Sequence, residues 1–190
     1  MRSSCRTPPD LTRPDPGGST VARMSTVDRS LTVTWSDPMP PLELSRGMAG
    51  VDYLRAIADG SVPPPPVAKL LGMGIESLEA GVVTFTLEPH ESHYNPLGVV
   101  HGGVLSTVLD TVLGCAVHSM LPAGWGYTSI DLSVSYLKAV RVDSGTVRFT
   151  GRVIKHGRRV SFASAEAVDG SGAVVATATS SLLVMAPAGA

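Results

Sequence analysis

The stretch Asn95-Pro96-Leu97-Gly98-Val99-Val100-His101-Gly102-Gly103, followed by Asp110, holds the residue types best suited to chemistry. Residues 102–120 read as one helix, which Gly102 and Gly103 open. Backbone N–H groups at a helix start have no intrahelical partner and lie at the positive end of the dipole. Glycines there let another molecule come close to the backbone. Such a place suits an anionic oxygen, either a bound phosphate or the oxyanion formed in acyl transfer. A Gly-Gly pair also simply permits a sharp entry into a helix, and the pair alone does not separate these readings. Neither a Walker loop nor the dinucleotide-binding glycine fingerprint is present.

Asp110 is the only Asp, Glu, Lys or Arg between Gly102 and Met120. A buried carboxylate must be neutralised or find hydrogen-bond partners. Ser106, Thr107 and Gly114 share its helix face, giving a narrow polar stripe on a helix otherwise apolar almost all round. Asp110 is therefore either a structural aspartate satisfied by local hydroxyls or a reactive carboxylate. Asn95 before a proline is an ordinary turn residue, and Ser129 heads an alternating strand; neither makes a case alone. His93, His118 and His156 have no evident partners. No GxSxG elbow occurs, and no helical geometry supports a triad of Ser106, His101 and Asp110. Cys115 is a weak nucleophile, because an apolar helix disfavours its thiolate. No Cys/His spacing resembles a zinc site, and neither a metal nor a cofactor is expected.

The elements that must position these residues follow from periodicity. Residues 72–78 read as a strand, and the Glu79-Ala80-Gly81 turn leads to a second, where Val83, Phe85 and Leu87 alternate with polar neighbours. Residues 89–97 form a loop before the helix. Four strands follow: 127–137, 146–155, 160–168 and 173–185. In the first, Ile130, Leu132, Val134 and Tyr136 oppose Ser129, Asp131, Ser133 and Ser135. The His156-Gly157-Arg158 and Asp169-Gly170-Ser171-Gly172 turns are short, so the neighbours they join are antiparallel. Six strands and one apolar helix make an α+β domain in which an antiparallel sheet curls around that helix.

The 190 residues suit one compact domain with extra terminal chain. Residues 1–30 read as a disordered tail, in which Met24 is a candidate start. Residues 31–66 read as a Pro-rich arm with a short helix at 48–59 and a stiff proline spacer, and they pack on the domain or on a neighbouring subunit. The domain proper is 67–186, with 187–190 frayed. A net charge of −1 argues against a nucleic-acid partner. Residues 98–121 carry Asp110 and two histidines; a charge at mid-span would cost about 2.5–3.5 kcal/mol, so a buried helix is preferred over a membrane span. Cys5 and Cys115 are too few and too badly placed for a disulfide scaffold. The compartment expected is the cytoplasm. With 43% hydrophobic and only 16% charged residues, some apolar surface is expected to be buried between subunits.

Asn95-x-x-Gly98-x-x-His101-Gly102-Gly103 with Asp110, followed by the alternating strand from Ser129 to Tyr136, resembles the hotdog-fold acyl-CoA thioesterases of the PaaI-like family. The resemblance covers the domain and not the N-terminal third. It implies hydrolysis of an acyl-CoA in a site shared by two subunits of a homodimer, which pairs further into a homotetramer. It implies that Asp110 is the nucleophile or general base and that Gly102 is the oxyanion donor. His101 would orient the loop or polarise the carbonyl, while Asn95 and Ser129 would position the attacking group or the lytic water. Gly103, Arg158 and Arg159 would contact the substrate or coenzyme A, although arginines at a hairpin end are also ordinary surface charges. Two alternatives are a non-catalytic acyl-CoA-binding or regulatory module and a hotdog enoyl-CoA hydratase or dehydratase; the latter is disfavoured because its histidine and carboxylate lie in a different motif.

Overall fold

The computed structural model describes residues 27–187; most of the expected tail, Cys5, the Met24 start and residues 188–190 lie outside them. Residues 32–187 form one compact unit, and residues 27–31 have no regular secondary structure.

Three short helices come first: α1 (Met39–Ser45), α2 (Gly50–Ala58) and α3 (Pro66–Leu71). Prolines start two of them, the second at the end of the run that reads as a stiff spacer. Pro38 is the N-cap of α1, whose Met39 N–H donates to Asp37 Oδ1 at 2.9 Å, and Pro65 and Pro66 open α3. A proline fits a helix start because its fixed φ is helical and its missing N–H would have had no partner there. The helix expected at 48–59 is α2, and it docks through Gly50, whose N–H donates to Leu121 O at 2.9 Å.

The sheet comprises β1 (Met73–Glu79), β2 (Val82–Leu87), β3 (Gly126–Ser129), β4 (Ser133–Tyr136), β5 (Val147–Lys155), β6 (Val160–Val168) and β7 (Val174–Met185), with α4 (Gly102–His118) between β2 and β3 in the chain. All pairings are antiparallel, in the order β1-β2-β5-β6-β7, and β3 and β4 both lie along the free side of β7. This is the α+β arrangement expected, a sheet around one long helix. Val108, Leu109, Val112 and Leu113 of α4 are fully buried against Phe149, Val147 and Leu182 of the sheet.

The strand expected over 127–137 is two strands, which raises the expected six to seven. Ser129 pairs with Leu182 and Ser133 with Thr179, so residues 130–132 face only Ser180 and Ser181. One extra residue opposite a partner strand is a β-bulge. Asp131 fills the gap in the ladder: its Oδ1 accepts from Ser181 N at 3.1 Å and its carbonyl from Ser180 Oγ at 2.7 Å. An inserted residue reverses which alternate side chains face inward. Tyr127 and Ser129 oppose buried Val184 and Leu182, while Val134 and Tyr136 oppose buried Ala178 and Ala176. Ser129 and Tyr136, placed on opposite faces by uninterrupted alternation, therefore both face α4.

The helix lies close on the sheet where side chains are absent. A Cβ on Gly151 of β5 would sit 2.5 Å from the Val112 carbonyl oxygen of α4, a backbone contact that cannot rotate away. Gly151→Ala is expected to destabilise the fold by about 1–3 kcal/mol through overpacking. Urea unfolding should show this as a lower midpoint at unchanged slope.

Candidate active site

One row of α4 runs along the β3–β4 edge at four-residue intervals. A Cβ on Gly102 would meet the Tyr136 ring at 2.9 Å, and Ser106 Oγ lies 2.6 Å from Tyr136 Oη. Asp110 Oδ1 accepts from Ser129 Oγ at 2.7 Å, and a Cβ on Gly114 would meet Tyr127 at 2.5 Å. Tyr136 also donates to the Gly102 carbonyl at 3.0 Å. The polar stripe read from sequence is thus the seam between helix and edge strands. Its hydroxyls do not satisfy Asp110: Thr107 bonds back to the Gly103 carbonyl, Ser106 pairs with Tyr136, and the hydroxyl on Asp110 comes from β3.

The helix start is organised by capping. His101 is the N-cap; its Nδ1 accepts from the Gly103 N–H at 2.8 Å, which fixes the ring as the Nε2–H tautomer. Its own N–H donates to His93 O at 2.8 Å, tying the loop down. The N–H groups of Val104 and Leu105 reach the His101 carbonyl, at 2.9 and 3.5 Å. Gly103 is thereby used up, and the Gly102 N–H is the donor in this turn left without a partner among the described residues. Asn95 does hold a turn: its Oδ1 accepts from Leu97 N at 2.9 Å and Val99 N at 3.5 Å, and Gly98 takes the φ of +71° that the turn requires. The Asn95 Nδ2 amide keeps its donors.

These residues line two separate cavities. Asn95 and Gly102 share one of about 430 Å³ with Tyr136 and Val140. Asp110 and Ser129 open into another of about 500 Å³, with Thr111, Cys115, His118 and Tyr127 behind them and residues of the arm opposite. Eight helical residues separate Gly102 from Asp110, a rise of about 12 Å. One chain therefore does not bring the orphan N–H and the carboxylate to a common atom. Arg158 and Arg159 are exposed at the β5–β6 turn and line neither cavity; the Arg159 carbonyl accepts from Val184 N, at the sheet end where Val184 pairs with Tyr127.

Sequence reasoning missed Tyr53, His118, Tyr127 and Tyr136. Small residues at 102, 106 and 114 were the available signal, because each marks where a large side chain from elsewhere reaches the helix. The His118 ring lies between Tyr53 and Tyr127, at centroid distances of 6.0 and 5.5 Å. Burial pushes the Tyr127 phenol well above its usual range, reinforced by Cys115 and Asp110. It also pushes the Cys115 thiol up to about 12, with Asp110 adding to the effect, so that thiol is inert as expected. Among the described residues no group of His, Cys, Asp or Glu is arranged to hold a metal, and no helix is long and apolar enough to cross a membrane.

An antiparallel sheet around a helix with a carboxylate on one flank and a free N–H at its start defines the class, and likeness to known proteins makes it specific. The sequence profile of the Thioesterase superfamily matches residues 97–176. The crystal structure of a phenylacetic acid degradation-related protein from Ralstonia eutropha JMP134 is 30% identical, with a TM-score of 0.64 over 69% of this chain and 98% of that one. The chain belongs to the thioesterase superfamily. A hypothetical thioesterase protein of Streptococcus pneumoniae TIGR4, solved with coenzyme A, is 28% identical at a TM-score of 0.56, over 60% of this chain and 87% of that one. Mouse acyl-coenzyme A thioesterase 13 is 28% identical over 80 residues, 42% of this chain and 56% of the mouse protein. The chain spans 64% and 56% of the lengths of the first two curated relatives it matches.

Burial holds the His118 imidazole below its usual range, and the groups facing it are the neutral Tyr53 and Tyr127 rings, with Asp110 in the same cavity. His93 is lowered too, by burial and then by His90. The folded state then binds fewer protons than the unfolded chain, so their contribution to stability is complete above about pH 6.5 and is lost as pH falls below it. Thermal melts between about pH 8 and 5 should show this decline. His118→Phe, which keeps a ring between the two tyrosines, should flatten it in part.

Proposed function

We propose that the protein is a cytoplasmic acyl-CoA thioesterase whose active site is completed by a second copy of the chain. The observation that carries this is the division of the two half-sites between separate cavities at opposite ends of one helix stripe. A thioester carbonyl needs its attacking group and its oxyanion donor within hydrogen-bonding reach at the same time. Two copies related by a two-fold axis can set the Asp110 end of one helix against the Gly102 end of the other, giving two equivalent sites. The β4 edge supports such pairing: its outer side is free, and Ile130, Leu132 and Leu137 are 58%, 36% and 60% exposed. Ile154 and Phe162, exposed elsewhere on the sheet, support further pairing of dimers into a tetramer.

In this site the Asp110 carboxylate either attacks the thioester carbonyl carbon or takes a proton from a water that does. The Ser129 hydroxyl fixes the rotamer of Asp110 and reaches the same water. The carbonyl oxygen, as it gains charge, is met by the Gly102 N–H at the positive end of the helix dipole. Losing such a donor typically costs about 10²–10³-fold in rate. The Asn95 amide donates beside it, and His101 holds the turn that aims both. Collapse of the tetrahedral adduct breaks the C–S bond and releases coenzyme A; the direct-attack route leaves an acyl-Asp110 anhydride for water to cleave. Arg158 and Arg159, at the sheet end nearest β3, suit the phosphates of the coenzyme. The superfamily membership and the coenzyme A bound to the pneumococcal relative support the substrate class.

Purified protein should release free thiol from acyl-CoA. Asp110→Asn, which keeps an oxygen for Ser129, should abolish release while leaving the circular dichroism spectrum unchanged. Asn95→Asp, which keeps the turn but sets a negative charge beside the oxyanion, should be inactive as well. Refolded together in equal amounts, the two variants should recover about a quarter of wild-type activity, because half the random dimers carry one intact site of two. No recovery on mixing would overturn the shared site, and no release from any acyl-CoA by the wild type would overturn the hydrolase.

A further inference from the structure

The cavity beside Asp110 has a second wall that lies outside the segment matched by the superfamily profile. Residues 36–67 close it from the side opposite α4, with Met39 and Leu42 from α1, Tyr53 and Ile57 from α2, and Pro64 from the segment between α2 and α3. The arm's position is fixed by backbone contact. A Cβ on Gly50 would lie 1.9 Å from the His118 carbonyl oxygen, so α2 begins directly on the end of α4. Leu54, Val62 and Ala68 are 3%, 3% and 5% exposed, which anchors the arm at three further points.

We infer that this arm forms the acyl chamber of the site, and that the chamber selects an uncharged, apolar acyl tail of medium length or aryl type over a short or charged one. This rests on the thioesterase reading for the chemistry at Asp110. About 500 Å³ is far more than an acetyl group fills, and it is in the range of pockets that enclose a drug-sized ligand. The charge on its walls is confined to two carboxylates. Asp110 is the reacting group, and Asp37 accepts from the Met39 N–H at the mouth of α1. No Lys or Arg lines it, so a second carboxylate on the acyl group would be desolvated without a partner. The far wall offers Leu, Ile, Met and Pro carbons and the Tyr53 ring, which gain from covering apolar surface and offer a polar tail little.

The test compares kcat/KM for acetyl-, octanoyl-, phenylacetyl- and succinyl-CoA in the wild type and in Leu42→Trp, which fills the chamber from α1. The wild type should prefer octanoyl or phenylacetyl over acetyl and succinyl, the two apolar substrates showing which tail fits better. In Leu42→Trp the octanoyl-to-acetyl ratio should fall at least about tenfold, the size of effect a few methylenes have in an apolar pocket. Ile57→Phe, which narrows the chamber from α2, serves should Leu42→Trp fail to fold. An unchanged ratio in the folded variants, or a wild-type preference for acetyl or succinyl, would overturn the inference. Calorimetric binding of octanoyl-CoA against coenzyme A separates the two readings. Tighter octanoyl-CoA binding that is lost in the variant, with no turnover, would sink the hydrolase and leave the chamber standing. Equal affinities in the wild type would sink the chamber.

Discussion

The arrangement depends on one seam, where Gly102, Ser106, Asp110 and Gly114 of α4 lie along β4 and β3. Two of its contacts are hydroxyl hydrogen bonds, Ser106 to Tyr136 at 2.6 Å and Ser129 to Asp110 at 2.7 Å. The other two are places where a missing side chain admits a tyrosine ring. A helix repeats on one face every four residues, whereas a strand repeats every two. A regular strand over 127–137 would have turned either Ser129 or Tyr136 away from the helix. The bulge at 130–132 resolves that mismatch; the Asp131 carboxylate accepts from the Ser181 N–H there, and the Ser180 hydroxyl donates to the Asp131 carbonyl. The Asp110 carboxylate is thus held by a defect in the sheet.

The same seam sets Gly102 and Asp110 apart. Because capping uses the N–H groups of Gly103, Val104 and Leu105, the first turn offers one free donor at Gly102. The carboxylate sits two turns further on, toward the middle of α4. Moving it closer would cost the seam its alignment with Ser129, and moving the donor would break the His101 cap. The proposed site therefore calls for a second copy of the chain rather than a rearrangement within one. The exposed apolar residues along β4 lie on the edge that such an assembly would cover.

Much of this was legible in the sequence, and the exceptions have physical causes. The extents of β6 and β7, the start of α4 and the α+β class followed from period and turn chemistry, because those elements bury one face and are bounded by glycine turns. The stripe around Asp110 was legible as a polar line on an apolar helix. Its partner was not: Ser129 pointed outward in a strict alternation, and nothing in the order of residues 127–137 marks the inserted residue, since Asp131 looks like one more polar position. The starts of α1 and α3 were not legible either. Proline is known as a helix breaker, yet at the first turn it costs nothing, and only the chain following Pro38 and Pro66 decides between a spacer and a helix start.

The arm also makes physical sense of His118. A histidine at the end of a helix usually gains from the negative end of the dipole and is drawn toward its charged form. Here Tyr53 from α2 and Tyr127 from β3 enclose the ring, and burial outweighs that attraction, so the imidazole is held neutral. An imidazolium inside that enclosure would be desolvated by two phenols that give it no anion. Neutral His118 leaves the back of the cavity uncharged behind Asp110, so that carboxylate is not paired with a neighbouring cation. Tyr53 can stand there only because Gly50 lets α2 begin on the His118 carbonyl. The arm thus does more than close the cavity: it keeps the surroundings of Asp110 apolar on the side that an acyl tail would enter.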